Sequence, residues 1–264
     1  MTALLAALVA LAPPVGGRPD PGPIPQASRQ LVLVTTAGWT ATDGTLRRYE
    51  RDGGAWRPVG EPVPVVVGRG GLGWGRGLHG APPPDAPWKA EGDGRAPAGA
   101  FALSAAFGYA EAEPTGLPYL QSTPSVQCVD DAASPAYNLV LDREAARPAL
   151  AGGAGWASHE EMRRRDGLYR IGVVVAHNGS GVGPGVLAAP PAGPVPVPGG
   201  GSCIFLHVWR GPGTTTAGCT AMPDAALADV LAWLDADAAP VLVQLPESAA
   251  ERLGAGWGLP EAGA

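Results

Sequence analysis

Two residues in the segment 201–223, GSCIFLHVWRGPGTTTAGCTAMP, are suited to act together as a nucleophile and a base. His207 lies in an apolar, strand-like run, and Cys219 follows twelve residues later, directly after Gly218. A thiol attacks as its thiolate, so a nucleophilic cysteine near neutral pH needs a base beside it. The segment therefore predicts acyl transfer: Cys219 attacks a carbonyl, His207 accepts and later returns the proton, and a thioester forms in between.

A strand and a turn must position this pair. Alternation along residues 203–209 places His207 on one face with Cys203 and Phe205, and the opposite face is entirely apolar. That apolar face is expected to pack inward and anchor the histidine. Gly218 is expected to take a backbone conformation that other residues resist, and backbone N–H groups of this turn are expected to form an oxyanion hole.

The same residues allow two other interpretations. His207 would be a hydrogen-bonded core histidine and Cys219 a small buried residue, since free cysteines are often simply buried. Alternatively, Cys203, His207, Cys219 and His177 would supply four zinc ligands, although their spacing does not match familiar zinc modules closely. The catalytic interpretation needs no metal and no other cofactor.

The chain has three cysteines, so one disulfide would leave one thiol free. Cys128 and Cys203 are the natural pair, which frees Cys219. This arrangement suits an exported protein, whereas in the cytosol these cysteines would be reduced core thiols. The sequence alone does not fix the pairing.

Composition limits the fold class and the partners. The chain is rich in turn formers, with 40 Gly and 30 Pro, yet 45% of its 264 residues are hydrophobic, which favours a folded, mainly β protein with a few short helices. The net charge of −6 and the lack of a basic cluster argue against nucleic acid as the main partner. No apolar run reaches the roughly 18 residues of a membrane span. We expect the protein to be a monomer.

The chain divides into four parts. Residues 1–12, MTALLAALVALA, are typical of a signal-peptide core with a cleavage site, which predicts export to the periplasm or cell wall; a buried N-terminal helix is the alternative. Residues 13–30 read as a Pro/Gly-rich linker. Residues 31–247 form one catalytic domain, and residues 248–264 are a weakly patterned tail.

Local patterns predict several elements of that domain. Residues 45–50 and 55–59 form a hairpin around an Asp-Gly-Gly turn. A capping box at Ser158 predicts a short helix over residues 159–165, and Asp224 is expected to cap a second helix. Residues 181–201 form a long Pro/Gly loop of a kind that is often functional.

The residues around the pair resemble the active-site pattern of the L,D-transpeptidase catalytic domain (YkuD-like) family. That pattern is a histidine, a variable loop and Ser/Thr-x-Gly-Cys, here His207 followed by Thr216-Ala217-Gly218-Cys219. Residues 96–101, APAGAF, are similar to the Thr-Pro-x-Gly-x-Phe strand entry of the family. The resemblance covers roughly residues 31–245 and is to a variant branch.

The resemblance implies a β-sandwich-like fold and L,D-transpeptidation of peptidoglycan stem peptides, which joins them through a diamino-acid side chain. It makes Cys219 the nucleophile and His207 the base, with Gly218 and Cys219 donating oxyanion N–H groups. A backbone carbonyl often orients the histidine of this family. The alternatives are an L,D-carboxypeptidase, in which water resolves the same thioester, and a wall-binding module without activity.

The chain departs from the family two residues after the cysteine, where Ala221 stands in place of the usual arginine. Arg210, on the loop after His207, could take over its contact with substrate, unless it is an ordinary surface arginine. Thr216 of the matched motif is expected to contact substrate.

Two further residues are expected to bind substrate. His177 and Asn178 end the strand predicted over residues 169–177, and they would line the site if that strand pairs with the one that carries His207. Asn178 would then bind a peptide backbone. The alternative is a turn, which Asn-Gly strongly favours.

Overall fold

In a computed structural model of the protein, the structure describes residues 22–146, 155–183 and 195–260. The predicted signal peptide, residues 1–12, lies outside the described residues, as do the first half of the predicted linker, residues 13–21, and the middle of the loop over residues 181–201. No described helix has the length and the apolar character needed to cross a bilayer.

The described chain is built mostly from strands, which confirms the expectation of a mainly β fold with a few short helices. The strands are β1 Gln30–Thr36, β2 Asp43–Asp52, β3 Ala55–Val66, β4 Leu72–Trp74, β5 Ala96–Gly108, β6 Tyr119–Gln121, β7 Val126–Val129, β8 Leu139–Asp142, β9 His159–Glu161, β10 Ile171–Val175, β11 Gly181–Val182, β12 Phe205–Val208, β13 Thr220–Met222 and β14 Val241–Pro246. The helices are α1 Arg143–Ala146, α2 Asp224–Trp233 and α3 Glu247–Trp257, with a 3₁₀ turn at Ala236–Ala238.

Eight strands close into a barrel in the order β10, β12, β13, β3, β2, β1, β14, β5. Strand β5 closes it, because its 13 residues pair with β14 over one half and with β10 over the other. The main sheet is therefore a closed barrel, whereas the sequence led us to expect a sandwich-like arrangement. The length of β5 is the physical reason, since one strand reaches both neighbours.

A second, four-stranded sheet lies beside the barrel, in the order β11, β8, β7, β9. Side chains of both sheets share one apolar cluster, to which Phe205 and Val140 belong. A disulfide joins Cys128 of β7 to Cys203, just before β12, which is the pairing expected from the sequence. The one free cysteine, Cys219, is buried in the same cluster.

The predicted hairpin is confirmed, and two local predictions are wrong. Strands β2 and β3 pair up to Asp52 and Ala55, across a glycine turn. The expected helix over residues 159–165 is instead the short strand β9, because Glu160 pairs with Cys128 across the second sheet. Asp224 does not cap α2; it is the first helical residue, and its carboxylate pairs with Arg170.

The end of the chain contains a helix that the sequence pattern did not predict. In α3, Ala249 is fully buried, and Leu253 and Trp257 pack against the apolar cluster that contains Leu31 and Leu33 of β1. Helix α2 lies on a different cluster, which contains the apolar face of β12. The two clusters hold the barrel strands in place, including the strand that carries His207.

Candidate active site

Adjacent parallel strands bring the predicted nucleophile and base to one face. His207 of β12 is paired with Ala221 of β13, and Cys219 directly precedes β13. The Cys219 Sγ accepts a hydrogen bond of 3.4 Å from the Phe205 N–H, so cysteine and phenylalanine are neighbours across the strands. Residues two apart on a strand share a face, so the side chains of His207 and Cys219 lie on the same side. Both line one cavity of about 300 Å³.

The opposite face of β12 anchors the histidine as expected. Ile204, Leu206 and Val208 all lie in the apolar cluster that α2 covers. On the cavity side, the ring of Tyr169 meets the His207 ring edge-on, with 5.1 Å between ring centroids. The strand and its packing therefore fix the position of the imidazole.

The His207 ring is oriented by the backbone. Its Nδ1 lies 2.8 Å from the carbonyl oxygen of Val208, which assigns the proton to Nδ1 and the lone pair to Nε2. Desolvation lowers the pKa of His207 to about 4, and the positive charge of Arg164 acts in the same direction. The imidazole is therefore neutral near pH 7, the form that can accept a proton.

The Cys219 thiol is protonated at rest. Its side chain is almost fully buried, and its Sγ lies 3.4 Å from the carbonyl oxygen of Cys203, to which it donates. Burial and, to a lesser degree, the charge of Glu160 raise the pKa of Cys219 to about 12, although the hydrogen bond from the Phe205 N–H lowers it. The thiol hydrogen in the structure is given to the Cys203 carbonyl oxygen rather than to His207. A protonated thiol and a neutral imidazole that line one cavity are nevertheless the two forms that general-base catalysis requires, in which the proton moves as the sulfur attacks.

Thr216, predicted to contact substrate, lines the cavity and also holds the turn before Cys219. Its Oγ1 donates to the carbonyl oxygen of Cys219 at 2.6 Å and accepts from the Gly218 N–H at 3.1 Å. The threonine hydroxyl that was expected to contact substrate is thus used within the turn. The Gly218 N–H, expected in the oxyanion hole, already has a partner.

Gly218 is needed for a reason other than the one predicted. It is not among the glycines with positive φ. A Cβ at this position would instead lie 3.1 Å from the carbonyl oxygen of Arg95, tighter than normal packing. The glycine permits a close approach between the turn and the chain before β5.

Arginines lie at the edge of the cavity. Asp166 accepts from the guanidinium of Arg210 at 2.7 Å and from that of Arg164 at 2.6 Å, and both arginines line the cavity. Arg69 and Lys89 also line it. Arg210 is therefore placed to contact a substrate, and Arg164 is a second candidate that sequence reasoning missed.

His177 and Asn178 have a different place from the one predicted. Strands β10 and β12 do pair, but they are antiparallel, so His177 lies toward the start of β12 and away from His207. The buried His177 ring accepts from the Arg76 N–H at 3.3 Å and donates to the carbonyl oxygen of Gly200 at 3.1 Å. Neither His177 nor Asn178 lines the cavity that holds Cys219.

Asn178 fastens the loop before β12. It has a positive φ of 52°, which is the turn alternative, and its side-chain amide bonds the carbonyl oxygens of Val197 and Gly201 at 3.0 Å each. Asn178 and His177 thus hold the loop over residues 197–201, which leads into the cavity-lining residues 202–204.

Sequence reasoning also missed a hydrogen-bonded tyrosine and glutamate in the cavity wall. The buried Tyr169 hydroxyl donates to Glu160 at 2.6 Å, and both residues line the cavity. Burial raises the pKa of both groups. Neither residue belongs to a recognisable motif, because β9 brings Glu160 here through its pairing in the second sheet.

The zinc interpretation loses one of its ligands. The sulfur of Cys203 is bonded to Cys128 and cannot bind a metal as a thiolate. The described residues contain no group of three or more His, Cys, Asp or Glu side chains arranged to hold an ion.

Comparison of the chain with family models, curated proteins and solved structures finds no match. The function is therefore argued from the geometry of the cavity and from the residues within it.

Proposed function

We propose that the protein is a cysteine acyltransferase of the L,D-transpeptidase type that acts on peptidoglycan stem peptides. The observation that carries the proposal is the shared cavity: the free thiol of Cys219 and the neutral imidazole of His207 face it from adjacent strands. The other two cysteines, Cys128 and Cys203, are joined in a disulfide, which leaves the Cys219 thiol free. The similarity of residues 207–219 to the family pattern supports the same assignment.

The first half of the proposed reaction forms a thioester. The Cys219 sulfur attacks the carbonyl carbon of a donor peptide bond while the thiol proton passes to Nε2 of His207. The carbon–nitrogen bond then breaks, and the imidazolium returns the proton to the leaving amine. The acyl group stays on sulfur.

The second half transfers the acyl group. An acceptor amine attacks the thioester carbonyl and gives a proton to His207, and the carbon–sulfur bond breaks to regenerate the thiol. Water in place of the amine would give a shortened peptide, which is L,D-carboxypeptidase activity. The reaction needs no cofactor.

The charges around the cavity support a substrate that carries carboxylates. Arg69, Lys89, Arg164 and Arg210 line it, together with Glu91 and Glu160. Lys89 is paired with Asp93, and Arg164 and Arg210 share Asp166, so a substrate carboxylate would bind beside or in place of these ion pairs. Stem peptides carry free carboxylates, and guanidinium groups match them in shape as well as charge. Export of the chain, a YkuD-type catalytic domain and a monomeric state are part of this proposal.

Product analysis tests the proposal. Purified muropeptides with tetrapeptide stems are incubated with the protein, and the products are identified by mass. We expect cross-linked dimers, with no product from Cys219→Ala and wild-type product from His159→Gln, a control on the surface of β9. Shortened monomers alone would replace transpeptidation with hydrolysis, and product from Cys219→Ala would overturn the mechanism.

A further inference from the structure

A second cavity of about 550 Å³ lies apart from the one that holds Cys219, and it shares no lining residue with it. Its wall includes Leu78, Trp88, Val195 and Val197. These are the four large apolar side chains that are exposed within the described parts of the chain, with exposures of 42, 53, 89 and 46%. Scattered apolar exposure needs no explanation, but here all of it gathers around one concave surface.

Two polar side chains of this cavity have hydroxyls without partners. The Oγ atoms of Ser104 and Ser180 are buried and have no hydrogen-bond partner among the described residues. Ser180 is only 5% exposed, and both serines line the cavity. A buried hydroxyl without a partner destabilises the free protein, so a ligand that satisfies it gains affinity.

One cation lies in the same wall. Arg76 stacks over Trp88, with 5.3 Å from its guanidinium carbon to the ring centroid. Its Nη1 bonds two backbone carbonyl oxygens, while in the described part of the chain no carboxylate pairs with it. No Asp or Glu lines the cavity.

His79 adds no charge. Its Nδ1 accepts from the Ala100 N–H at 2.9 Å, its Nε2 lies 3.1 Å from the carbonyl oxygen of Gly75, and burial lowers its pKa. The cavity therefore presents an apolar rim, one guanidinium and two hydroxyl donors.

We propose that this second cavity binds an amphiphile with one alkyl chain and an anionic oxygen head group. The alkyl chain lies against Leu78, Trp88 and the two valines, and the head group takes the free guanidinium donors of Arg76 and the serine hydroxyls. The volume is within the range of small-molecule sites, which are mostly apolar with a few placed polar groups. A guanidinium accepts either a carboxylate or a phosphate in a forked contact.

Calorimetric titration of the full chain tests this site without using its activity. Decanoate and decyl phosphate are compared with decyltrimethylammonium, which has the same chain and the opposite charge. We expect one saturable site for at least one anion, with the cation about tenfold weaker or more, as the loss of a charge-assisted hydrogen bond predicts. No saturable anion binding, or equal binding of the cation, would overturn the proposal.

Variants locate the site. Arg76→Gln and the double change Ser104→Ala with Ser180→Ala are each expected to weaken anion binding, while Arg57→Gln, on the exposed part of β3, leaves it unchanged. Trp88→Ala, at the exposed rim, is expected to weaken anion binding without altering the unfolding transition. This variant keeps the proposal testable if Arg76→Gln does not fold. Equal anion affinity in Trp88→Ala and wild type would overturn the proposal. So would a dimer of the ligand-free wild type that Trp88→Ala converts to monomers, because a second copy of the chain would then cover this surface.

Discussion

The Cys219 thiol and the His207 imidazole form a neutral pair, and burial is the cause for both. Desolvation raises the pKa of the thiol to about 12 and lowers the pKa of the imidazole to about 4. A catalytic cysteine with a low pKa would react with any electrophile, whereas in the proposed mechanism Cys219 depends on proton transfer to His207 during attack. The proposal therefore ties reactivity to a substrate that fills the cavity.

Alkylation tests the state of the thiol. Because the thiolate fraction grows tenfold per pH unit below the pKa, we expect the rate of Cys219 alkylation by iodoacetamide to rise about tenfold per unit from about pH 7 to about pH 9. Intact mass gives the rate directly, since Cys219 is the free cysteine and should take one adduct. A rate that levels off near neutral pH would contradict the protonated resting state.

Thr216 tests the turn that presents the thiol. Thr216→Val removes the hydroxyl that bonds the Cys219 carbonyl and the Gly218 N–H, so we expect a loss of about 1–2 kcal/mol in the free energy of unfolding and slower acyl transfer. The matched control is Thr215→Val, an exposed neighbour that should stay within about 0.5 kcal/mol of wild type. Equal effects of the two changes would show that the hydroxyl does not hold the turn.

The sequence predicted that Cys219 and His207 lie in one site, and both line the cavity, but it did not predict their surroundings. Cys219 and His207 belong to one short segment whose alternation and spacing can be read directly. Glu160 lies in β9 and Arg164 in the turn that follows it. Both reach the cavity because β9 pairs with β7, which is distant in sequence. The hydrogen bond from Gly218 to Thr216 depends on a side-chain rotamer, which no sequence pattern specifies.

Strand direction decides which residues line the cavity. Strand β13 runs parallel to β12 and carries Cys219 to His207, while β10 runs antiparallel and carries His177 to the other end. Strand pairing also explains the wrong helix prediction, because the capping box at Ser158 is a local signal of about 1 kcal/mol. Pairing of β9 with β7 outweighs it.

His177 makes stability depend on pH. Burial lowers its pKa to about 3, so the unfolded chain binds a proton below about pH 6.5 that the folded chain excludes. Stability is full above that value and falls by about 1.4 kcal/mol per unit as the pH drops toward 3. We expect His177→Gln, which keeps an acceptor and a donor, to reduce this slope in urea titrations. An unchanged slope in His177→Gln would contradict the assignment.

The two sheets enclose the cavity together. The barrel supplies His207 and Cys219, and the second sheet supplies Glu160. The Cys128–Cys203 disulfide joins the sheets where they meet, across a sequence separation of 75 residues. Barrel closure through the long β5 was not predictable from local patterns, since it requires two pairings distant in sequence.

Removing the disulfide should weaken the whole fold. For the double change Cys128→Ala with Cys203→Ala, we expect a loss of about 2–4 kcal/mol in the free energy of unfolding, because the unfolded chain is no longer closed into a long loop. Urea unfolding with and without reductant measures this. Reductant should lower the stability of the wild type and leave the variant unchanged; a variant as stable as the wild type would contradict the role of the bond.

The most direct test of the central claim is the mass of the protein during turnover. The chain is mixed with a tetrapeptide stem whose diamino-acid side-chain amine is acetylated, so that it can act as donor but not as acceptor; the mixture is quenched in acid and measured intact. We predict one acyl adduct, mapped to Cys219, absent in Cys219→Ala and formed about 10² to 10⁴ times more slowly in His207→Gln. Substrate turnover with no adduct on Cys219, or an adduct that forms equally fast in His207→Gln, would contradict the account.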